Sequence, residues 1–251
     1  MLSLQNKNII ITGASSGIGR ECAILASKLG ARVILIARNQ EKLEETLSAM
    51  SGNGHIIIAG DVTDYEKLKN SLTEIINIDT KHINGIVHCA GREMTKPFFL
   101  TKAEHFRELL EVHLIAGLEI IRFCSKKDYL PEDGASYVFI SSIMAELGSA
   151  GLSPYCASKS AITSTVKALA LEMAPKKVRV NSVEPGCVMT DLLQKRFSKM
   201  SSEEIEAIKN QHPLGLGTPE QVANVVCFLL SDLSSWITGT NIVVDGGYSA
   251  H

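Results

Sequence analysis

The chain has 251 residues, 45% hydrophobic and 21% charged, with a formal net charge of -2. That length and apolar content suit one α/β domain with a large core, and the near-neutral balance supplies no field for nucleic acid or an anionic membrane. No apolar stretch of about 18 residues is present and Met1 to Lys7 lack a signal-peptide core, so neither a membrane span nor export is expected.

In chain order, residues 7–12 form a short apolar run that reads as a first strand and ends in a glycine-rich turn. Residues 17–30 follow with helical periodicity and a glycine stop. Residues 32–37 are apolar, β-branched and short, as a strand buried on both faces should be. The pattern then predicts a charged amphipathic helix over 40–50, a strand over 55–59, a helix over 65–78 and a strand over 85–89. A long helix is predicted over 103–129, stopped by Pro131, and a fifth strand over 136–141. A helix over 155–173 stops at Pro175, and a sixth strand covers 179–183. The last elements are a helix over 219–230, with Pro219 in its first turn, and a strand over 240–244.

Strand and helix alternate to the end. The expected fold is therefore α/β: a doubly wound, Rossmann-type, parallel seven-stranded sheet with helices on both faces. No internal repeat or linker divides it, so residues 1–251 read as a single dinucleotide-binding and catalytic domain. The rhythm breaks only at 191–217, where two charged, helix-like pieces, 191–200 and 202–210, follow the sixth strand. Ligands of open α/β sheets sit at the carboxyl ends of strands, so this segment is expected to be a substrate lid.

The first turn reads Thr12-Gly13-Ala14-Ser15-Ser16-Gly17-Ile18-Gly19. Glycines let the backbone approach a pyrophosphate, and the next helix offers N–H groups and a positive dipole end. An acidic residue at the end of the second strand would bind a ribose 2′-hydroxyl, but the chain has Ala37-Arg38-Asn39 there. Arg38 suits a 2′-phosphate, so the expected cofactor is NADP, with NADPH preferred over NADH.

Tyr155 and Lys159 stand four residues apart, on one face if the segment is helical. An ammonium beside a phenol lowers its pKa and makes it a usable acid or base. Ser142, thirteen residues earlier, has a hydroxyl that could hold a substrate oxygen. Alone, Tyr-x-x-x-Lys is more often an ordinary amphipathic helix; the rest of the chain, with the phosphate turn upstream, gives it weight.

These motifs, with Asp61-Val62, Ala90-Gly91, Asn181, Pro185-Gly186 with Thr190, and Val244-Asp245-Gly246-Gly247, resemble the short-chain dehydrogenase/reductase family from about residue 4 to 249. Leu214-Gly215, Thr218-Pro219-Glu220-Gln221 and Ile237-Thr238-Gly239 resemble its 3-oxoacyl-[acyl-carrier-protein] reductase branch. The resemblance implies that Tyr155 is the acid/base, that Lys159 lowers its pKa and bonds the nicotinamide ribose, and that Ser142 orients the carbonyl. It implies that Asp61 and Val62 border the adenine, that Ala90 and Gly91 belong to the cofactor site, and that Val188 and Thr190 hold the carboxamide.

The chain departs from the family at two places. Cys89 stands before Ala90-Gly91 where asparagine is usual, a change expected to touch stability more than chemistry. His113 stands where an asparagine usually helps hold a relay water for the lysine. Three readings are open for His113: a relay member, a packed helix histidine, or the mark of a weakened enzyme.

The long helix carries apolar residues nearly all round, from Phe106 to Phe123, and is expected to be buried on two sides. Related enzymes assemble through it and the tyrosine helix, which implies a homotetramer. Arg122, Lys126 and Lys127, with Lys195, Arg196 and Lys199, read either as solvated charge or as a face for an acidic carrier protein. Met189, Leu192, Leu193, Phe197 and Met200 read as an apolar mouth or as packing of a short helix. Seven histidines show no metal-ligand spacing, so no metal is expected. Six cysteines without a Cys-x-x-Cys pair read as buried thiols of a reducing compartment, the cytoplasm.

The function expected is interconversion of a ketone and a secondary alcohol, with a small carbonyl or a carrier-bound 3-oxoacyl thioester as substrate. Alternatives are a reductase of a sugar or steroid-like ketone, a cofactor-binding regulator without turnover, and a sugar-nucleotide epimerase or dehydratase.

Overall fold

The computed structural model describes residues 1–76 and 82–250. The sheet is built from β1 (Asn8–Thr12), β2 (Arg32–Ala37), β3 (Ile56–Ala59), β4 (Gly85–His88), β5 (Ser136–Ile140), β6 (Arg179–Pro185) and β7 (Asn241–Val244). The strands lie in the order β3-β2-β1-β4-β5-β6-β7, and every pairing is parallel. The strand order turns back at β1 and β4, the switch point where a ligand crevice forms in such sheets.

Alternate side chains along each strand enter two cores, as the period of two demands. Ile10, Ile34, Ile36, Tyr137 and Phe139 face one side. Ile9, Ile11, Val33, Leu35 and Val138 face the other. Against the second side pack α1 (Gly17–Lys28), α2 (Gln40–Ser48) and α9 (Pro219–Leu230). Against the first pack α3 (Tyr65–Ile75), α4 (Ala103–Leu110), α5 (Ala116–Cys124) and α6 (Ser153–Met173). The remaining helices, α7 (Asp191–Phe197) and α8 (Ser202–Asn210), lie in the 191–217 segment.

Local signals place these elements. Asn39 and Asp64 cap α2 and α3 by accepting from the backbone N–H of Lys42 and Lys67. Thr218 and Gln221 form a reciprocal capping box at α9, as Ser201 and Glu204 do at α8. The tyrosine helix begins at Ser153, two residues before the expected start, because Pro154 fits the first turn. The helix expected over 65–78 is seen as α3, and positions 77 and 78 lie outside the described residues.

The uninterrupted helix expected over 103–129 is corrected. A wide π-helical turn, Glu111–Ile115, separates α4 from α5, and helix ends at Cys124. The chain then folds back so that the Tyr129 ring packs on Phe123, with centroids 5.0 Å apart. The 191–217 segment is closed at its base by a parallel bridge between Val188 and Gly217. Among the described residues, no helix is long and apolar enough to cross a membrane.

Candidate active site

A cleft of about 890 Å³ runs across the carboxyl ends of the strands. One end is the turn between β1 and α1. Gly13 has φ +69°, and a Cβ there would stand 3.0 Å from the backbone of Cys89 and Ala90. Only glycine suits both constraints. Gly13, Ser15, Ser16, Gly17 and Ile18 line the cleft. Gly19 is buried behind the turn, where a side chain would collide with the Gly13 carbonyl. Ser16 is the N-cap of α1 but its hydroxyl makes no capping bond, and the first turn carries no acid. The first N–H groups and the positive helix end thus face the cleft, as a diphosphate requires.

Arg38 and Asp61 follow the ends of β2 and β3 and lie 4.0 Å apart, with Arg38 79% exposed along its side chain. Asp61 accepts from the N–H and hydroxyl of Thr63, which holds its carboxyl below the usual range, with Arg38 adding to the effect. Val62, Ala90, Gly91, Val188 and Thr190 also line the cleft. These residues fit a nicotinamide dinucleotide: a glycine-rich turn for the diphosphate, a guanidinium at the ribose end, and polar groups at the far end.

At that far end stand Ser142, Tyr155 and Lys159. Ser142 follows β5 and its hydroxyl accepts from the Met144 N–H at 3.1 Å, which fixes its direction. Tyr155 lies in the first turn of α6, half-buried, and Lys159 is one turn further. The Lys159 ammonium donates to the Ile140 carbonyl at 2.8 Å and lies 5.6 Å from the centre of the Tyr155 ring. Burial pushes the Tyr155 phenol up to about 12, with the Ser142 hydroxyl acting in the opposite direction. Burial pushes Lys159 down to about 8. Burial therefore sets the direction of the Tyr155 shift, against the lowering expected from the Tyr155–Lys159 spacing, and the tyrosine is held as a phenol.

His113 lies on the π-turn, 1% exposed. Its Nε2 accepts from the Arg92 N–H at 3.0 Å, so Nδ1 carries the proton and donates to the Ser158 hydroxyl at 2.8 Å. Ser158 passes the bond to the Tyr155 carbonyl at 2.8 Å. Both ring nitrogens thus have protein partners, and the ring meets the Tyr155 ring edge-on with centroids 5.7 Å apart. Burial pushes the imidazole down to about 2, so it is neutral.

The outer wall adds Glu93, His212 and Tyr248, which the sequence did not single out. Glu93, after β4, pairs with Arg196 of α7 at 3.2 Å, and both line the cleft. His212 accepts from the Cys187 N–H at 3.3 Å and stacks on Tyr248, with centroids 4.7 Å apart. Leu192 and Leu193 line the cleft as well. The cationic residues do not form one face within the chain. Arg122, Lys126 and Lys127 lie where α5 ends and leads into β5, at the amino end of the sheet, whereas Lys195, Arg196 and Lys199 follow the carboxyl end of β6. Helices of a parallel sheet run against its strands, which sends the two groups to opposite ends. Among the described residues, no three His, Cys, Asp or Glu side chains are placed to share a metal ion.

A family model described as Enoyl-(Acyl carrier protein) reductase matches residues 13–249. A 3-oxoacyl-[acyl-carrier-protein] reductase FabG of Rickettsia conorii is 35% identical over 248 residues, which is 98% of each chain. Human L-xylulose reductase is 30% identical over 250 residues, 99% of each chain. A solved short-chain type dehydrogenase/reductase from Mycobacterium ulcerans matches with a TM-score of 0.89 at 31% identity, covering 98% of this chain and 91% of that one. Likeness of this length, on the same sheet and around the same cleft, makes the chain an oxidoreductase that belongs to the short-chain dehydrogenase/reductase family.

Proposed function

We propose that the protein is an NADP(H)-dependent enzyme that interconverts a ketone and a secondary alcohol. The observation that carries this reading is one cleft with the phosphate turn and Arg38 at one end and Ser142, Tyr155 and Lys159 at the other. Gly13, Ser15, Ser16, Gly17 and Ile18 would hold the diphosphate, with Gly19 keeping α1 close behind them. Arg38 would pair with the 2′-phosphate, Asp61 and Val62 would border the adenine, and Ala90, Gly91, Val188 and Thr190 would complete the nicotinamide end. When bound, the cofactor supplies the hydride.

In the reducing direction the Ser142 hydroxyl donates to the substrate carbonyl and orients it. The Tyr155 hydroxyl gives its proton to the carbonyl oxygen, and Lys159 stabilises the phenolate left behind. A phenol held at about 12 is in the form this step needs at neutral pH. His113, with both nitrogens engaged, acts as a packed clamp between α6 and Arg92 and not as a relay member.

The 191–217 segment serves as the substrate lid within a single domain, and Glu93 and Arg196 tie it down. A 3-oxoacyl thioester heads the list of substrates, because a named 3-oxoacyl-[acyl-carrier-protein] reductase matches over the full length. Leu171 on α6, Ile115 on the π-turn, Val243 on β7 and Trp236 in the loop before β7 are exposed and support a homotetramer. Six free thiols support the cytoplasm as its compartment.

The test is NADPH and NADH oxidation against a panel holding a 3-oxoacyl thioester, a keto sugar and a cyclic ketone. Turnover with NADPH above NADH on one member is the expected result. Tight cofactor binding with no turnover on any member would overturn the enzyme reading. Turnover with NADH equal to or above NADPH would overturn the cofactor assignment.

A further inference from the structure

His88 closes β4 and is 2% exposed, away from the cleft lining. Its Nε2 lies 2.9 Å from the Val112 carbonyl, which only accepts, so Nε2 carries the proton. Nδ1 is then an acceptor, and it faces the Thr12 hydroxyl at 3.0 Å. That hydroxyl accepts from the N–H of Cys89 at 3.1 Å and of Ala90 at 3.0 Å. Its one donor and two acceptor positions are all in use. Hydrogen bonds therefore run one way, from the loop after β4, through Thr12 and His88, to the π-turn.

Val112 is where the helix leaves α geometry. The Ala116 N–H, which an α-helix would give to Val112, goes to the Glu111 carbonyl instead. The His88 imidazole supplies a donor to Val112. A second observation concerns fit. A Cβ on Gly117 would stand 2.5 Å from the Phe139 ring and 2.8 Å from the His88 ring, and a Cβ on Gly91 would stand 2.9 Å from the His113 ring. The end of β4 and the helix thus exchange one histidine for one glycine each, in both directions. Sliding the helix by one residue would turn His113 by about 100° around the axis and break this double fit.

We propose that His88 is a positioning residue for the reaction: its bond to Val112 holds the π-turn in register, and so keeps His113 against Arg92 and Ser158 beneath Tyr155. This rests on the reading of Tyr155 as the acid/base.

His88→Leu removes both ring contacts, whereas His88→Gln keeps an acceptor and a donor on one side chain. The expected kinetic result is a loss of about 100-fold in kcat for His88→Leu, the scale of a displaced catalytic group, with the NADPH Kd within threefold of wild type. His88→Gln should restore most of kcat. A wild-type kcat in folded His88→Leu, or a loss confined to NADPH binding, overturns the proposal.

Hydrogen exchange on the cofactor-free protein separates this from the functional reading, because it needs no turnover. His88→Leu should lose protection over residues 110–118 while β1 and β5 stay protected. Unchanged protection there overturns the proposal even if the enzyme reading stands. If His88→Leu does not fold, Thr12→Val leaves Nδ1 without its donor and should lower kcat and protection in the same segment, with Thr12→Ser restoring both. Thr12→Val equal to wild type in both readouts overturns it.

Discussion

The ammonium of Lys159 is bonded to the Ile140 carbonyl at 2.8 Å and stands 5.6 Å from the centre of the Tyr155 ring. It is anchored to the end of β5 and lies over the Tyr155 ring. Burial keeps Tyr155 protonated, with a value of about 12, while Lys159 falls to about 8. Ketone reduction needs the phenol and alcohol oxidation needs the phenolate. Reduction should therefore be flat between pH 6 and about 8, above which Lys159 loses its charge, and oxidation should rise with pH across that same range as the phenolate fraction grows. Tyr155→Phe should lower kcat by about 10²–10⁴ in both directions and leave the NADPH Kd within a few-fold. Steady-state pH profiles with a fluorescence titration of cofactor check both points.

Arg38 is largely solvent-exposed, and its nearest acid is Asp61 at 4.0 Å, too far for a tight pair. Its guanidinium is free to turn toward a 2′-phosphate. A charge-assisted bond of that kind contributes about 1.5–3 kcal/mol, or about 10–100-fold in affinity. Arg38→Ala should raise the KM for NADPH by that factor and change the KM for NADH little. Equal effects on both cofactors would contradict the assignment.

His88 and His113 are both neutral in the fold, pushed down from 6.5 to about 4 and about 2. Unfolded, both take up protons near 6.5. Stability should fall as the pH drops below 6.5. The His88 share levels off near 4 and the His113 share continues toward 2. Each contributes a slope of about 1.4 kcal/mol per pH unit within its window. Urea unfolding at pH 7, 6 and 5 should show this decline, and His113→Asn should flatten it by about one proton.

Glu184 on β6 is 1% exposed, and among the described residues its Oε1 has no hydrogen-bond partner. Burial pushes its carboxyl up to about 7, with Glu146 reinforcing the effect and Lys167 opposing it. A carboxyl raised in the fold stabilises below its unfolded value near 4.5, and that contribution is lost as pH rises through about 7. Glu184→Gln should raise Tm at pH 8 and leave it unchanged near pH 4. An unpaired buried carboxylate costs at least about 1 kcal/mol, which corresponds to about 2–4 °C here. Thermal melts at the two pH values decide it.

Much of this was legible in the sequence. Apolar runs such as Arg32–Ala37 mark strands buried on both faces, and the helical repeat between them marks the crossovers. The Gly13 turn and the Ser142, Tyr155, Lys159 spacing placed both ends of the cleft. The π-turn was hidden because apolar residues surround the helix from Phe106 to Phe123, and an extra residue leaves no gap in such a pattern. His88 was hidden because its partner Thr12 is 76 positions away. The direction of the Tyr155 shift was hidden because spacing reports the ammonium but not the burial.

Val188 and Gly217 meet in a bridge, with the Met189 N–H bonded to the Gly217 carbonyl at 2.8 Å and the Gly217 N–H to the Cys187 carbonyl at 2.9 Å. The chain between them leaves and returns through this neck, and the Glu93–Arg196 pair and the Leu214 N–H on the Gly246 carbonyl at 3.0 Å pin it further out. Doubling the length of such a loop adds only about 0.6 kcal/mol to the entropy of closing it. A cassette of different length and chemistry can therefore be grafted onto the same neck while β6, β7 and the tyrosine helix stay in place. On the function proposed above, the wall that would choose the carbonyl compound is a replaceable part, and the groups that would reduce it are not.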